Sequence, residues 1–97
     1  MLIQAASEGH TEVIGALLAA GADPDATDKI GRTALMWAAR WGHIEATAAL
    51  LAARANSDVK CVDGGTALFY ASDFHHVDVE QLLQRHGALY LRPGGSG

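Results

Sequence analysis

The sequence predicts an all-α fold, a solenoid of stacked helix–turn–helix units. Three observations carry that reading. The chain repeats itself at a fixed interval of 33 residues. Each interval holds two short apolar runs separated by a turn dipeptide. Alanine supplies 19 of the 97 residues, so the core has to come from closely approaching helices rather than from bulky side chains.

The repeat is read by sliding the chain against itself. Residues 1–33 laid on 34–66 give 15 identities, among them Gly9/Gly42, His10/His43, Glu12/Glu45, Leu17/Leu50, Leu18/Leu51, Gly31/Gly64 and Thr33/Thr66. A third copy stays in phase without a gap, with Thr66-Ala67-Leu68, Ala71, His76, Leu83 and Ala88. A period of 20–50 residues means stacked units, each too thin to bury its own apolar face.

The elements follow in order. The first unit reads as helices 2–8 and 12–20, the second as 34–41 and 45–53, the third as 67–74 and 78–85. Thr33 is a fair cap for the helix that follows it. Gly42-His43 breaks the chain between the second pair. Glu45 stands in a first turn, where a carboxylate favours the positive end of the helix dipole. Loop chemistry gathers at Asn56, Ser57, Asp58, Asp63, Gly64 and Gly65. Helices of two or three turns are marginal alone, so stability must come from neighbouring units.

The ordered blocks Thr33-Ala34-Leu35-Met36-Trp37-Ala38-Ala39, Gly42-His43-Ile44-Glu45 and Leu50-Leu51 resemble the ankyrin repeat. So do Gly9-His10-Thr11-Glu12-Val13-Ile14, Leu17-Leu18 and Gly21-Ala22-Asp23. The resemblance covers residues 2–88, about two and two-thirds repeats. It implies an ankyrin-type α-solenoid whose loops near 27–31 and 60–64 project as β-turn fingers. The expected organisation is one domain over 1–91, with repeats near 1–30, 31–63 and 64–91, and a linker-like tail at 92–97.

The sequence also departs from the family pattern. The family's Thr-Pro-Leu-His becomes Thr33-Ala34-Leu35-Met36 and Thr66-Ala67-Leu68-Phe69. Arg54 stands where the other repeats have Gly21 and Gly87, and His75 replaces the glycine of a turn. Non-glycine residues there cost on the order of 1 kcal/mol each if the backbone is left-handed. Ala46, Thr47 and Ala49 thin the outer helix of the second repeat. A modestly stable domain is expected.

Composition excludes several function classes. With 7 basic against 11 acidic residues the net charge is −4. Neutralising nucleic-acid phosphates, or anchoring on an anionic membrane, needs clustered positive charge. The longest apolar runs are far short of a spanning helix. Cys61 is the single cysteine and cannot make an internal disulfide, which suits a reducing, cytoplasmic compartment. It falls at a loop tip, in the slot held by Asp28 one repeat earlier, and is expected to be an exposed thiol. His10, His43 and His76 recur once per repeat and lie too far apart to share a zinc ion. They are expected to bind local backbone. His75 and His76, near Asp73 and Asp78, are the nearest approach to a metal cluster, but adjacent turn residues point apart. No nucleophile elbow, phosphate loop or dinucleotide fingerprint exists. No catalytic residue, metal ligand or cofactor is assigned.

What remains is a binding surface. The resemblance implies that loop tips and the first helix of each repeat form a continuous concave face. Its partner-binding residues map onto Lys29, Ile30, Arg32, Met36, Trp37, Arg40 and Trp41 in the second repeat. In the third they are Asp63, Phe69, Tyr70, Asp73 and Phe74. Trp37 and Tyr70 also read as packing residues between inner helices. Trp, Tyr and Arg are enriched in interface hot spots. The expected function is a non-catalytic module that binds a partner protein through this face. The alternative is a minimal or engineered fragment that self-associates weakly through under-capped ends, at Met1, Leu2 and Ile3 and at Leu89, Tyr90 and Leu91.

Overall fold

A computed structural model describes residues 1–62 and 64–88. Six helices form three pairs: α1 (Leu2–Glu8) with α2 (Thr11–Ala19), α3 (Ala34–Trp41) with α4 (Ile44–Ala52), and α5 (Ala67–Asp73) with α6 (Val77–Arg85). Asp63, the end residues Leu89, Tyr90 and Leu91, and the tail 92–97 lie outside the described residues, and so do the expectations placed on them.

The inner row is α1, α3 and α5. The outer row is α2, α4 and α6. Each row packs along its length, and among the described residues α3 is the helix of the inner row with a neighbour on both sides. Small side chains permit the close approach: Ala6, Ala38, Ala39 and Ala71 are fully buried on the inner helices. The volume between rows is filled by Ile14, Leu35, Met36, Leu50, Val79 and Leu83. Leu35 and Leu68 occupy the same repeat position and are both core residues, as the period requires.

The helix starts follow from local chemistry. The Oγ1 of Thr33 accepts the backbone N–H of Met36 at 3.3 Å, and that of Thr66 accepts the N–H of Phe69 at 3.5 Å. Both caps form without the family's proline. The outer helices begin one residue earlier than the sequence suggested. The carbonyls of His10, His43 and His76 already accept the first helical bond, which makes each histidine the N-cap.

Among the described residues, Arg54 (φ 66°) and His75 (φ 61°) are the non-glycine residues held in left-handed backbone. Each carries a cost on the order of 1 kcal/mol relative to glycine. The loops before α3 and α5 fold as paired fingers. The N–H of Asp28 donates to the carbonyl of Arg32 at 3.0 Å, and that of Cys61 donates to Gly65 at 3.0 Å. The fingers are joined to each other by the N–H of Val62, which donates to the carbonyl of Ile30 at 3.1 Å.

Candidate functional site

The histidines register one repeat on the next. The Nε2–H of His43 donates to the carbonyl of Ser7 at 3.1 Å, and that of His76 donates to the carbonyl of Arg40 at 2.9 Å. These acceptors lie on the preceding repeat, so the expected local bond is corrected to one that crosses the interface. Gly9 and Gly42 make room for the rings. A Cβ on Gly9 would sit 2.8 Å from the ring of His43, and one on Gly42 would sit 2.5 Å from that of His76. The ring of His10 turns to its own repeat: its Nε2 lies 3.2 Å from a Glu8 carboxylate oxygen, and the side chain is exposed. Among the described residues, no three His, Cys, Asp or Glu side chains converge to hold a metal ion.

A second recurring contact ties each finger to the inner helix behind it. The indole Nε1–H of Trp37 donates to Asp28 Oδ2 at 3.1 Å. One repeat on, the Sγ of Cys61 lies 3.2 Å from the hydroxyl of Tyr70. Cys61 is therefore buried, at 6% exposed, and not the exposed loop-tip thiol the sequence suggested. The reason is the slot it shares with Asp28: the side chain there leans on the helix instead of pointing outward.

Asp28 is the organising carboxylate of the first finger. Its Oδ1 accepts the N–H groups of Ile30 at 3.0 Å and Arg32 at 2.9 Å. Burial pushes its carboxyl up. The N–H of Arg32, the Trp37 indole, the N–H of Ile30 and the Arg32 charge outweigh that and hold it below the ordinary carboxylate value. A lowered folded pKa adds stability above the unfolded pKa, near 3.9, and that stability is lost as pH falls through the folded pKa. Asp28→Asn is therefore expected to lower the melting temperature at pH 7 and to flatten its acid decline below about pH 5. Melting curves at pH 7, 5, 4 and 3 check this; parallel declines in both proteins would refute it.

The face assembled from the sequence separates into three parts. Lys29 and Ile30 are exposed on the finger, and Trp41, Asp73 and Phe74 are exposed where α3 and α5 end. Arg32, Trp37, Arg40 and Phe69 are half-buried between them. Met36 and Tyr70 are buried and belong to the core, which corrects their place in the candidate set. Met36 follows the core-facing Leu35, and Tyr70 is drawn in by Cys61.

Arginines and rings interleave across the half-buried part. The Arg32 guanidinium lies over Trp37 at 5.2 Å and over Tyr70 at 5.7 Å. Arg40 lies over Trp37, Trp41 and Phe74. Trp37 thus carries a cation against its ring from each arginine, besides its bond to Asp28. Sequence reasoning placed Arg40 among the partner-binding residues without these ring contacts. The contact to Phe74 crosses to the next repeat, and the cue available was the 33-residue correspondence of Trp41 with Phe74.

Paired inner and outer helices, a repeated interface bond and a finger-and-helix face define a helical-repeat solenoid. The chain belongs to the ankyrin repeat family: the model for ankyrin repeats, three copies, matches residues 2–92. No curated protein matched the chain. Ankyrin repeats are generally protein–protein interaction modules and generally non-catalytic. Among the described residues, no helix is long and apolar enough to cross a membrane.

Proposed function

We propose that this chain is a non-catalytic module that binds a partner protein across its fingers and inner-helix face. The observation that carries the reading is the exposure of Trp41 (50%) and Phe74 (38%) at equivalent positions of successive repeats, beside half-buried Arg40. Large aromatics beside arginine are the composition of hot spots, and single exposed apolar residues elsewhere need no explanation. Lys29, Ile30, Arg32 and Phe69 extend the surface toward the fingers, and Asp73 gives its far end the opposite charge. A single cysteine buried against Tyr70 suits a reducing compartment.

The test is capture from reducing cytosolic extract by the wild-type chain and by a folded Trp41→Ala/Phe74→Ala variant. A protein retained by the wild type and lost from the variant supports the reading. Equal retention by both removes this face from the interaction.

One observation favours self-association as a second reading. Val13 is 48% exposed, whereas its counterparts Ala46 and Val79 are fully buried, and Met1 is exposed where Ala34 and Ala67 are buried. The first repeat thus leaves open the face that the others cover. A head-to-tail stack of copies in repeat register is obstructed, because His75 brings a Cβ to the turn where Gly9 and Gly42 leave room for a ring. This reading therefore pairs two first-repeat faces. An apparent mass that stays monomeric at every concentration in sedimentation would dismiss it.

A further inference from the structure

We propose that Arg40, clamped by three aromatic rings, anchors a carboxylate on an acidic, partly apolar peptide segment of the partner. This rests on the reading of the face as a binding surface and names the chemistry that the face selects. The Arg40 guanidinium carbon is 5.8 Å from the ring centroid of Trp37, 5.2 Å from that of Trp41 and 4.8 Å from that of Phe74. Two rings come from its own helix and the third from Phe74, which caps the C-terminal end of α5. Aromatic clusters of this kind attract cations. Here the chain's own arginine occupies the cluster, so a ligand cation is excluded and the face presents positive charge.

Among the described residues Arg40 makes no ion pair, and its Nε is covered from solvent without a hydrogen bond. Arg32 shares its charge with Asp28. A planar guanidinium takes a carboxylate through two parallel N–H···O bonds. The rings already restrict the arginine side chain, so docking orders less than it would at a free surface arginine. Lys29 adds positive charge on the finger side, within a chain of net charge −4. Arg40 and Lys29 favour an acidic segment by charge complementarity, with exposed Asp73 confining its acid to the side away from the end of α5. The exposed rings of Trp41 and Phe74 flank the anchor, so an apolar residue neighbours the acid.

Selection from a phage library of random linear peptides, with the full chain as bait, tests this. The expected winners carry Asp or Glu beside an apolar residue. A synthetic winner is expected to bind Arg40→Gln roughly tenfold or more weakly, and to weaken similarly when its own acid becomes the amide. Arg40→Lys keeps the charge without the fork and is expected to fall between. Circular dichroism confirms that each variant is folded. If Arg40→Gln does not fold, the amide-bearing peptide and Arg40→Lys decide the same contact. Winners that are neutral or basic, or that bind Arg40→Gln as tightly as wild type, overturn the anchor. If those winners are still lost from Trp41→Ala/Phe74→Ala, the binding face stands and only the anchor falls. Winners that ignore every one of these changes remove both.

Discussion

Gly42→Ala is expected to cost about 2–4 kcal/mol and to lower the melting temperature by roughly 10–25 °C. The substitution adds one methyl group, and two separate effects act against it. Gly42 has φ 73°, where any side chain adds strain on the order of 1 kcal/mol. The new Cβ would also stand 2.5 Å from the Nδ1 of His76. The imidazole must then move, and it loses the bond from Nε2–H to the carbonyl of Arg40. An unpaired buried polar group costs about 1–3 kcal/mol. A chain of this length holds roughly 5–15 kcal/mol in all, so the loss is a large part of the total.

The same change at Gly15 is the control. Gly15 lies inside α2 with nothing near its absent Cβ, so Gly15→Ala is expected to stabilise by about 0.5–1 kcal/mol through helix propensity alone. Combining Gly42→Ala with His76→Ala separates the two costs. Once the ring is gone, the glycine substitution should retain only its backbone strain. Thermal melts of wild type, Gly15→Ala, Gly42→Ala, His76→Ala and the Gly42→Ala/His76→Ala variant decide it. A Gly42→Ala protein melting within a few degrees of wild type would show that the turn does not depend on the ring's seat.

The helix pairs were legible because their signal is local and recurs. Thr33 and Thr66 cap, Gly42 turns, and apolar runs return every 33 residues. The outer-helix starts were read one residue late, because a histidine N-cap has no strong sequence signature. Contacts between repeats were the illegible part. His43 and Ser7 are 36 residues apart, as are His76 and Arg40. Nothing in a turn histidine says that it reaches backward rather than bonding locally. A cue was present in its companion: the glycine before His43 is the seat for the ring of His76, so the two residue types recur together for one reason. Cys61 was misread for a similar cause. Its exposure was judged from loop position, while Asp28–Trp37 and Cys61–Tyr70 share a spacing of nine that marks a finger folded onto its helix. Met36 was placed on the surface by analogy with family positions, and its burial depends on the facing of a helix of eight residues, which pattern alone resolves poorly.

Leu35→Ala is expected to cost about 3–5 kcal/mol and to remove cooperative folding of the whole described stack, whereas Leu83→Ala is expected to melt one end of it. Both leucines are buried and lose the same atoms, at 1% and 0% exposure. Position in the stack makes the difference. Leu35 lies on α3, which packs on α1 and on α5, so a cavity there weakens the repeat that both neighbours need. Around it the inner helices present Ala38 and Ala39, small side chains that cannot swing in to refill the space. Leu83 lies on α6 in the last described pair, and its loss leaves the contact between the first two repeats intact. In a nearest-neighbour stack an end unit can detach alone, but neither end persists without the middle. Both tryptophans, Trp37 and Trp41, lie on α3, so their fluorescence reports the middle repeat while far-ultraviolet circular dichroism reports every helix. For Leu83→Ala the dichroism transition should precede the fluorescence transition in urea. For Leu35→Ala the two signals should be lost together at low urea, or be absent from the start. Coincident, equally shifted transitions in both variants would mean that the repeats melt as one unit, and the nearest-neighbour account of this chain would then be wrong.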